Sequence, residues 1–271
     1  MIVTPWWRRW KRWRQGRTLA RRPIPDALWQ RTLDRYPFLA ARDAADRTAL
    51  RDMSTLFLAA KEFTGAHGLE VSDEMAVAIA AQACLPALKL GFDWFDGFVG
   101  VVVHADAVLA RRETADEAGV VHAWDEALSG EAMHGGPVML AWRDVHEAGR
   151  SADAGYNVVV HEFAHVIDMR AGLTVDPQGA DPRTARGAWL RSLAREYRRF
   201  RGRVEREVET FLDPYGAETL EEFFAVAAEA FFVAPQALRD EQPRTYALLA
   251  TFFRQDPAAA IAADGSTMPD R

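Results

Sequence analysis

The 271-residue chain has a single cysteine, Cys84, which excludes an internal disulfide and fits a reducing compartment. Lysine is nearly absent: Lys11, Lys61 and Lys89 stand against thirty arginines, a bias that reads as codon usage. No hydrophobic run reaches membrane-spanning length, because Gln82, Pro86 and Lys89 interrupt the most apolar stretch, residues 75–90. A secretory leader is not expected either, since arginines break up the tryptophans near the start. Gly97 and Gly100 lie in a strand-like region without a following Lys-Ser/Thr pair, so a phosphate-binding glycine loop is excluded. Internal repeats are not visible. These absences leave a soluble, cytoplasmic globular protein.

The formal charge of −6 averages two unlike parts. Arg8, Arg9, Lys11, Arg12, Arg14, Arg17, Arg21 and Arg22 give the first 25 residues +8 with no acid, which leaves −14 for the rest. Trp6, Trp10 and Trp13 share one helical face of this arm. Three readings of it follow: peripheral contact with anionic lipid, contact with nucleic acid, or a solvated tail folded onto the acidic body. The acidic body argues against direct nucleic-acid binding. Arg21-Arg22-Pro23-Ile24-Pro25 reads as a linker, so residues 1–22 form the arm, 23–258 one domain and 259–271 a frayed tail.

Apolar periodicity predicts helices over residues 26–36, capped by Asp26, over 46–63 with Leu50, Met53, Phe57 and Ala60 in one stripe, and over 74–85 behind Ser72 or Asp73. Residues 98–104 and 138–142 read as strands, and Pro137 favours an edge position for the second. Helices return over 158–170, 184–204, 219–232 and 235–254. Many helices with few strands predict an α+β fold, mainly helical, around one catalytic core.

The chemistry concentrates in Val158-Val159-Val160-His161-Glu162-Phe163-Ala164-His165-Val166-Ile167-Asp168. Histidines four apart on a helix project from one face and can hold one cation, while the intervening Glu162 is suited to take a proton from water. At this chain's composition, chance gives the five-residue pattern in about 1% of sequences, so accident is the weaker explanation. A catalytic zinc site needs a third ligand. Glu222 opens a strongly apolar helix and Glu229 follows seven residues later along nearly the same stripe. Carboxylates in such a segment are costly unless they bind metal or hydrogen bonds; exposed acids on an amphipathic helix are the alternative. Spacing alone leaves Glu221 open as a replacement for Glu222. Asp168, three residues after His165, is a candidate to orient a histidine ring, and Glu229 a candidate for similar support. The other histidines, His67, His104, His122, His134 and His146, have no metal spacing among them, and Cys84 reads as a small buried hydrophobe. The strand at 138–142 is a candidate to pair with an extended peptide.

Several stretches together resemble the Mlc titration factor A family of bacterial zinc-dependent peptidases. They are Gly68-Leu69-Glu70-Val71, Ile79-Ala80-Ala81-Gln82-Ala83-Cys84, Gly136-Pro137-Val138 through Trp142, Asn157 through Asp168, Asp213-Pro214-Tyr215 through Phe232, and Phe252-Phe253-Arg254-Gln255-Asp256-Pro257. The resemblance covers residues 20–258, and around the metal it extends to the catalytic domain of lethal-factor-type toxins. It implies a zincin-like core whose small sheet borders the active site with an edge strand. It further implies Zn(2+) held by His161, His165 and Glu222, Glu162 as general base, and Tyr215, seven residues before the third ligand, as donor to the oxyanion. The family implies an aminopeptidase-like hydrolase acting on peptides, and a partner in a sugar-regulated transcriptional repressor. A regulatory binding protein with secondary peptidase activity is the alternative.

Overall fold

The computed structural model describes residues 15–115, 121–133, 135–173, 181 and 183–259. Trp6, Trp10, Trp13 and the basic residues from Arg8 to Arg14 lie outside them, as do His134 and residues 260–271. The N-terminal elements are α1 (described over residues 15–21), α2 (Asp26–Arg35), α3 (Pro37–Ala40), α4 (Ala44–Ala60), β1 (Glu62–Gly65) and α5 (Asp73–Ala87). The strands β2 (Gly100–His104), β3 (Val108–Ala115), β4 (Val121–Leu128), β5 (Gly130–Ala132) and β6 (Val138–Ala141) follow. The remainder is helical: α6 (Trp142–Ser151), α7 (Val158–Ala171), α8 (Ala185–Val204), α9 (Leu220–Val233), α10 (Pro235–Glu241) and α11 (Pro243–Phe253). The fold is α+β and mainly helical.

The most hydrophobic helices sit at the centre. Helix α9 is buried continuously from Phe223 to Val233, and α5 from Val77 to Ala87, so neither has a solvent face to present as an amphipathic helix would. Helix α7 packs against both, and its Phe163 stands edge-on to Phe57, Phe95 and Phe98 with ring centroids 5.6–5.9 Å apart. Phe224, Phe231, Phe232 and Phe253 continue the same core on the other side. Five helix starts are fixed by side-chain caps at Asp43, Ser72, Asn157, Thr184 and Thr219, each accepting a backbone amide three residues on.

One sheet has the order β1-β2-β6-β5, with β1, β2 and β6 parallel and β5 antiparallel to β6; β3 and β4 form a separate antiparallel hairpin. This corrects the edge position expected for Val138–Trp142. Strand β6 is paired on both sides, Val138 with Val101 and with Ala132, so Pro137 merely precedes an interior strand where its missing N–H is harmless. The edge belongs to the short β5, whose three residues carry no strand signature of their own.

Other boundaries moved for local reasons. The helix expected over 46–63 stops at Ala60, and the next residues become β1 because they pair with β2. Ala60 is exposed, while Ser54 and Thr55 occupy the buried stripe and return their hydroxyls to Leu50 O and Arg51 O. Asp26 is the first helical residue of α2, not its cap. The helix expected over 235–254 is divided by Pro243, which opens α11 after a non-helical Gln242. Strands β1, β3, β4 and β5 and helix α6 were not expected from the sequence. No helix among the described residues is long and apolar enough to cross a membrane.

Candidate metal centre

Helices α7 and α9 carry the site. Asn157 starts α7, its side-chain oxygen accepting the Val160 amide at 2.9 Å. Burial of Val158, Val159, Val160, Phe163, Ala164 and Ile167 fixes the rotation of that helix and leaves His161 and His165 together on its half-buried face. Thr219 caps α9 through the amide of Glu222, which puts the Glu222 carboxylate in the first turn and Glu229 two turns further on.

The donor atoms converge. His161 Nε2 and His165 Nε2 are 3.2 Å apart, and Glu222 Oε2 lies 3.1 Å from the first and 3.4 Å from the second. Tetrahedral coordination with bonds of about 2.0–2.1 Å places neighbouring donors about 3.3 Å apart. The observed triangle has that size. Glu222 Oε2 is also buried with only the two imidazole nitrogens close to it and no hydrogen bond of good geometry, an arrangement that a cation between the three atoms would satisfy. His161, His165 and Glu222 are the group among the described residues that could hold a metal ion. Glu221, one residue away, is not part of it.

A second layer orients the first. His161 Nδ1 lies 2.6 Å from Glu229 Oε1, and the other Glu229 oxygen accepts the Asn157 backbone amide at 2.6 Å. A carboxylate on Nδ1 fixes the imidazole tautomer with the Nε2 lone pair facing Glu222 and His165. Asn157 in turn donates from its side chain to Gln82 Oε1 at 2.8 Å, and Gln82 donates to Ala78 O at 3.1 Å, which ties the start of α7 to α5. All three of Gln82, Asn157 and Glu229 are buried.

Burial and charge act against each other here. Burial lowers the basicity of His161, but Glu222 and Glu229 more than offset it and hold its pKa well above the ordinary imidazole value. Burial alone would raise Glu222, yet the two histidines bring it down to about 2. Glu162 is pushed up to about 7 by burial, against the pull of His161 and His165. Burial likewise raises fully enclosed Glu229, opposed by its bonds from His161 and Asn157.

A cavity of about 470 Å³ opens beside the donors, with His161, Glu162 and Tyr215 in its lining. Tyr215 belongs to the 3-10 turn Pro214–Ala217, is 39% exposed, and has its ring centroid 6.2 Å from that of His161. Asp213 holds this turn by accepting the Tyr215 amide at 2.9 Å. Gly130 of strand β5 also lines the cavity and lies against the Glu162 side chain. A Cβ at Gly130 would stand 2.6 Å from both Glu162 Cγ and Oε1, so only glycine leaves room for the carboxylate.

Asp168 and the other histidines have their own surroundings. Asp168 is buried, and its carboxylate accepts the Leu173 amide at 3.1 Å at the far end of α7. His67 and His104 face each other with centroids 5.8 Å apart, and His146 packs on Trp142. Cys84 is fully buried, as its alanine-rich surroundings suggested. Asn157, Gln82 and Gly130 are not among the site residues expected from the sequence. An Asn directly before an apolar helix is a cap signature and was legible, whereas Gly130 and Gln82 carry no local signal.

Fold and donor set together describe a mainly helical protein whose three converging donors could hold one cation beside a buried carboxylate and an open cavity. The model of the family described as glucose-regulated metallo-peptidase M90 matches residues 7–254, and the chain belongs to that family. Among relatives, it is 34% identical to the uncharacterized protein slr2042 of Synechocystis sp. over 250 residues, 92% of this chain and 90% of that one. It is 32% identical to Mlc titration factor A of Klebsiella pneumoniae over 234 residues, covering 85% and 87% of the two chains. The Yersinia pestis protein of the same name is 31% identical over 240 residues, 87% of each.

Proposed function

We propose that this chain is a zinc-dependent peptidase with aminopeptidase-like activity, working in the cytoplasm as one catalytic domain over residues 23–258 with a basic arm and a short tail. His161, His165 and Glu222 are the zinc ligands in this reading, Glu162 the general base and Tyr215 the oxyanion donor. The carrying observation is the triangle of Nε2, Nε2 and Oε2 atoms 3.1–3.4 Å apart beside buried Glu162. Two imidazoles and a carboxylate suit zinc better than magnesium or calcium, which prefer all-oxygen sites.

When bound, zinc supplies Lewis acidity toward a peptide carbonyl and makes water a stronger acid. Glu162 accepts the proton of the attacking water on its carboxylate and returns it to the leaving amine, so the residue ends the cycle as it began. Tyr215 donates its phenolic O–H to the oxygen on which negative charge develops. Glu229 keeps His161 in the tautomer that leaves Nε2 free, and the free edge of β5 offers backbone groups to an extended substrate.

A second reading rests on the relatives named Mlc titration factor A, which match 85–87% of this chain. Their name carries the proposal that this protein also binds a sugar-responsive transcriptional repressor. Glu162→Gln separates the two activities: hydrolysis of a peptide panel is expected to vanish while repressor binding persists. Purified protein that neither contains stoichiometric zinc nor gains hydrolysis on its addition would sink the peptidase reading.

A further inference from the structure

We propose that the cavity beside His161 is a selectivity pocket for the substrate side chain next to the scissile bond, and that it admits apolar side chains and refuses acidic ones. This rests on the peptidase reading above and adds the substrate class to it. The cavity's volume of about 470 Å³ falls in the range of about 300–1,000 Å³ typical of small-ligand sites. The apolar part of its lining is made by Val158, Leu212, Val226 and Ala230, all buried, and by half-buried Phe211. The charged side chains in the lining are Glu162, Asp213 and Glu229, with no lysine or arginine among them. Glu229 is already committed on both oxygens, to His161 and to the Asn157 amide. A carboxylate entering this space would meet three acids and no cationic side chain; the donors left to it are the neutral hydroxyls of Ser129, Tyr156, Thr210 and Tyr215, since the His161 imidazole is held by Glu229 and Glu222.

The depth of the pocket is set where α9 approaches the loop before α7. Gly155 sits there at φ +80°, a left-handed conformation that favours glycine. A Cβ built on it would lie 3.2 Å from Phe211 Cζ and 3.5 Å from Ala230 Cβ, so these three residues meet at one constriction. Ala230 directly follows Glu229, and the same turn of α9 that orients the metal ligand also shapes the pocket wall. Small volume changes at such a wall are read strongly: one methylene changes discrimination by about 10–200-fold.

The test uses full-length zinc-loaded protein and a peptide series that varies one residue among Ala, Leu, Phe and Glu on each side of the scissile bond in turn. At one of the two positions, Leu and Phe are expected to exceed Glu at least 100-fold in kcat/KM. Ala230→Leu fills the constriction and is expected to lower the Phe-to-Ala ratio at least tenfold, while Phe211→Ala raises it. Because Phe211 is only half-buried, the second variant keeps the test alive if the first fails to fold. Equal rates for Glu and Phe peptides in the wild type, or a ranking unmoved by both variants, overturns the pocket. If the wild type hydrolyses nothing, calorimetric binding of the same peptides decides. Tighter binding of the Phe peptide that Phe211→Ala alters then upholds the pocket and removes only the peptidase reading; equal binding removes the pocket.

Discussion

Replacing Gly130 by alanine tests whether the buried carboxylate of Glu162 is the group that moves the proton. The backbone of Gly130 has no positive φ and pairs with Leu140, so alanine is compatible with the strand itself. The cost falls on Glu162. Its Cγ and Oε1 would each lie 2.6 Å from the new methyl, against an ordinary contact of about 3.5–4.0 Å. The side chain must retreat by about 1 Å, and a 1 Å misplacement of a reacting group costs about 100-fold in rate. That corresponds to about 2.7 kcal/mol in the activation barrier. The His161, His165 and Glu222 donors are not what the methyl strikes, so zinc content and thermal midpoint stay near the wild-type values. The measurements are kcat/KM on a fluorogenic peptide, metal stoichiometry and a melting curve, with Gly202→Ala as the control because its Cβ meets nothing closer than 3.4 Å. A Gly130→Ala enzyme with full zinc and kcat within threefold of wild type would refute the role assigned to Glu162.

Four further outcomes follow from the geometry. Glu229→Gln leaves one acceptor for two donors, His161 Nδ1 and the Asn157 amide, so zinc affinity is expected to fall about 10–100-fold in a chelator competition; unchanged affinity counts against the orienting role. Asn157→Ala removes the α7 cap and strands buried Gln82 Oε1, and denaturant unfolding should show a loss of about 2–4 kcal/mol, more than the roughly 1 kcal/mol of an ordinary cap. Stripping the metal removes about 2.7 kcal/mol of stabilisation if the cation stands at 100 times its Kd. For a domain of this size that lowers Tm by about 5–11 °C, and identical melting with and without chelator rules out binding coupled to folding. Cys84 is fully enclosed and burial pushes its thiol pKa upward, so a thiol reagent should react only as the protein unfolds; rapid labelling of the native protein would show that α5 is not packed as described.

The sequence by itself determined what is local. Four-residue spacing puts His161, Glu162 and His165 on one turn of one helix whatever surrounds it, and Ser72 lies directly before an apolar run as a cap must. Those features depend on backbone geometry over a few residues, and the expected boundaries of α7, α8 and α9 differ from the observed ones by a residue at most. Spacing could not choose between Glu221 and Glu222, because one residue of register is decided by which face of α9 meets α7. Only the tertiary structure settled that Glu222 reaches both imidazoles and that Glu229 stands behind His161, contacts spanning about 60 residues of chain. The edge strand is the clearest case. Pro137 pointed to Val138–Trp142, yet β5 covers that strand, and the edge beside Glu162 falls to Gly130. Glycine at that place looks like any turn residue in the sequence; its meaning is that a Cβ there would stand 2.6 Å from a carboxylate 32 positions away, a closeness that arises only once sheet and helix have packed.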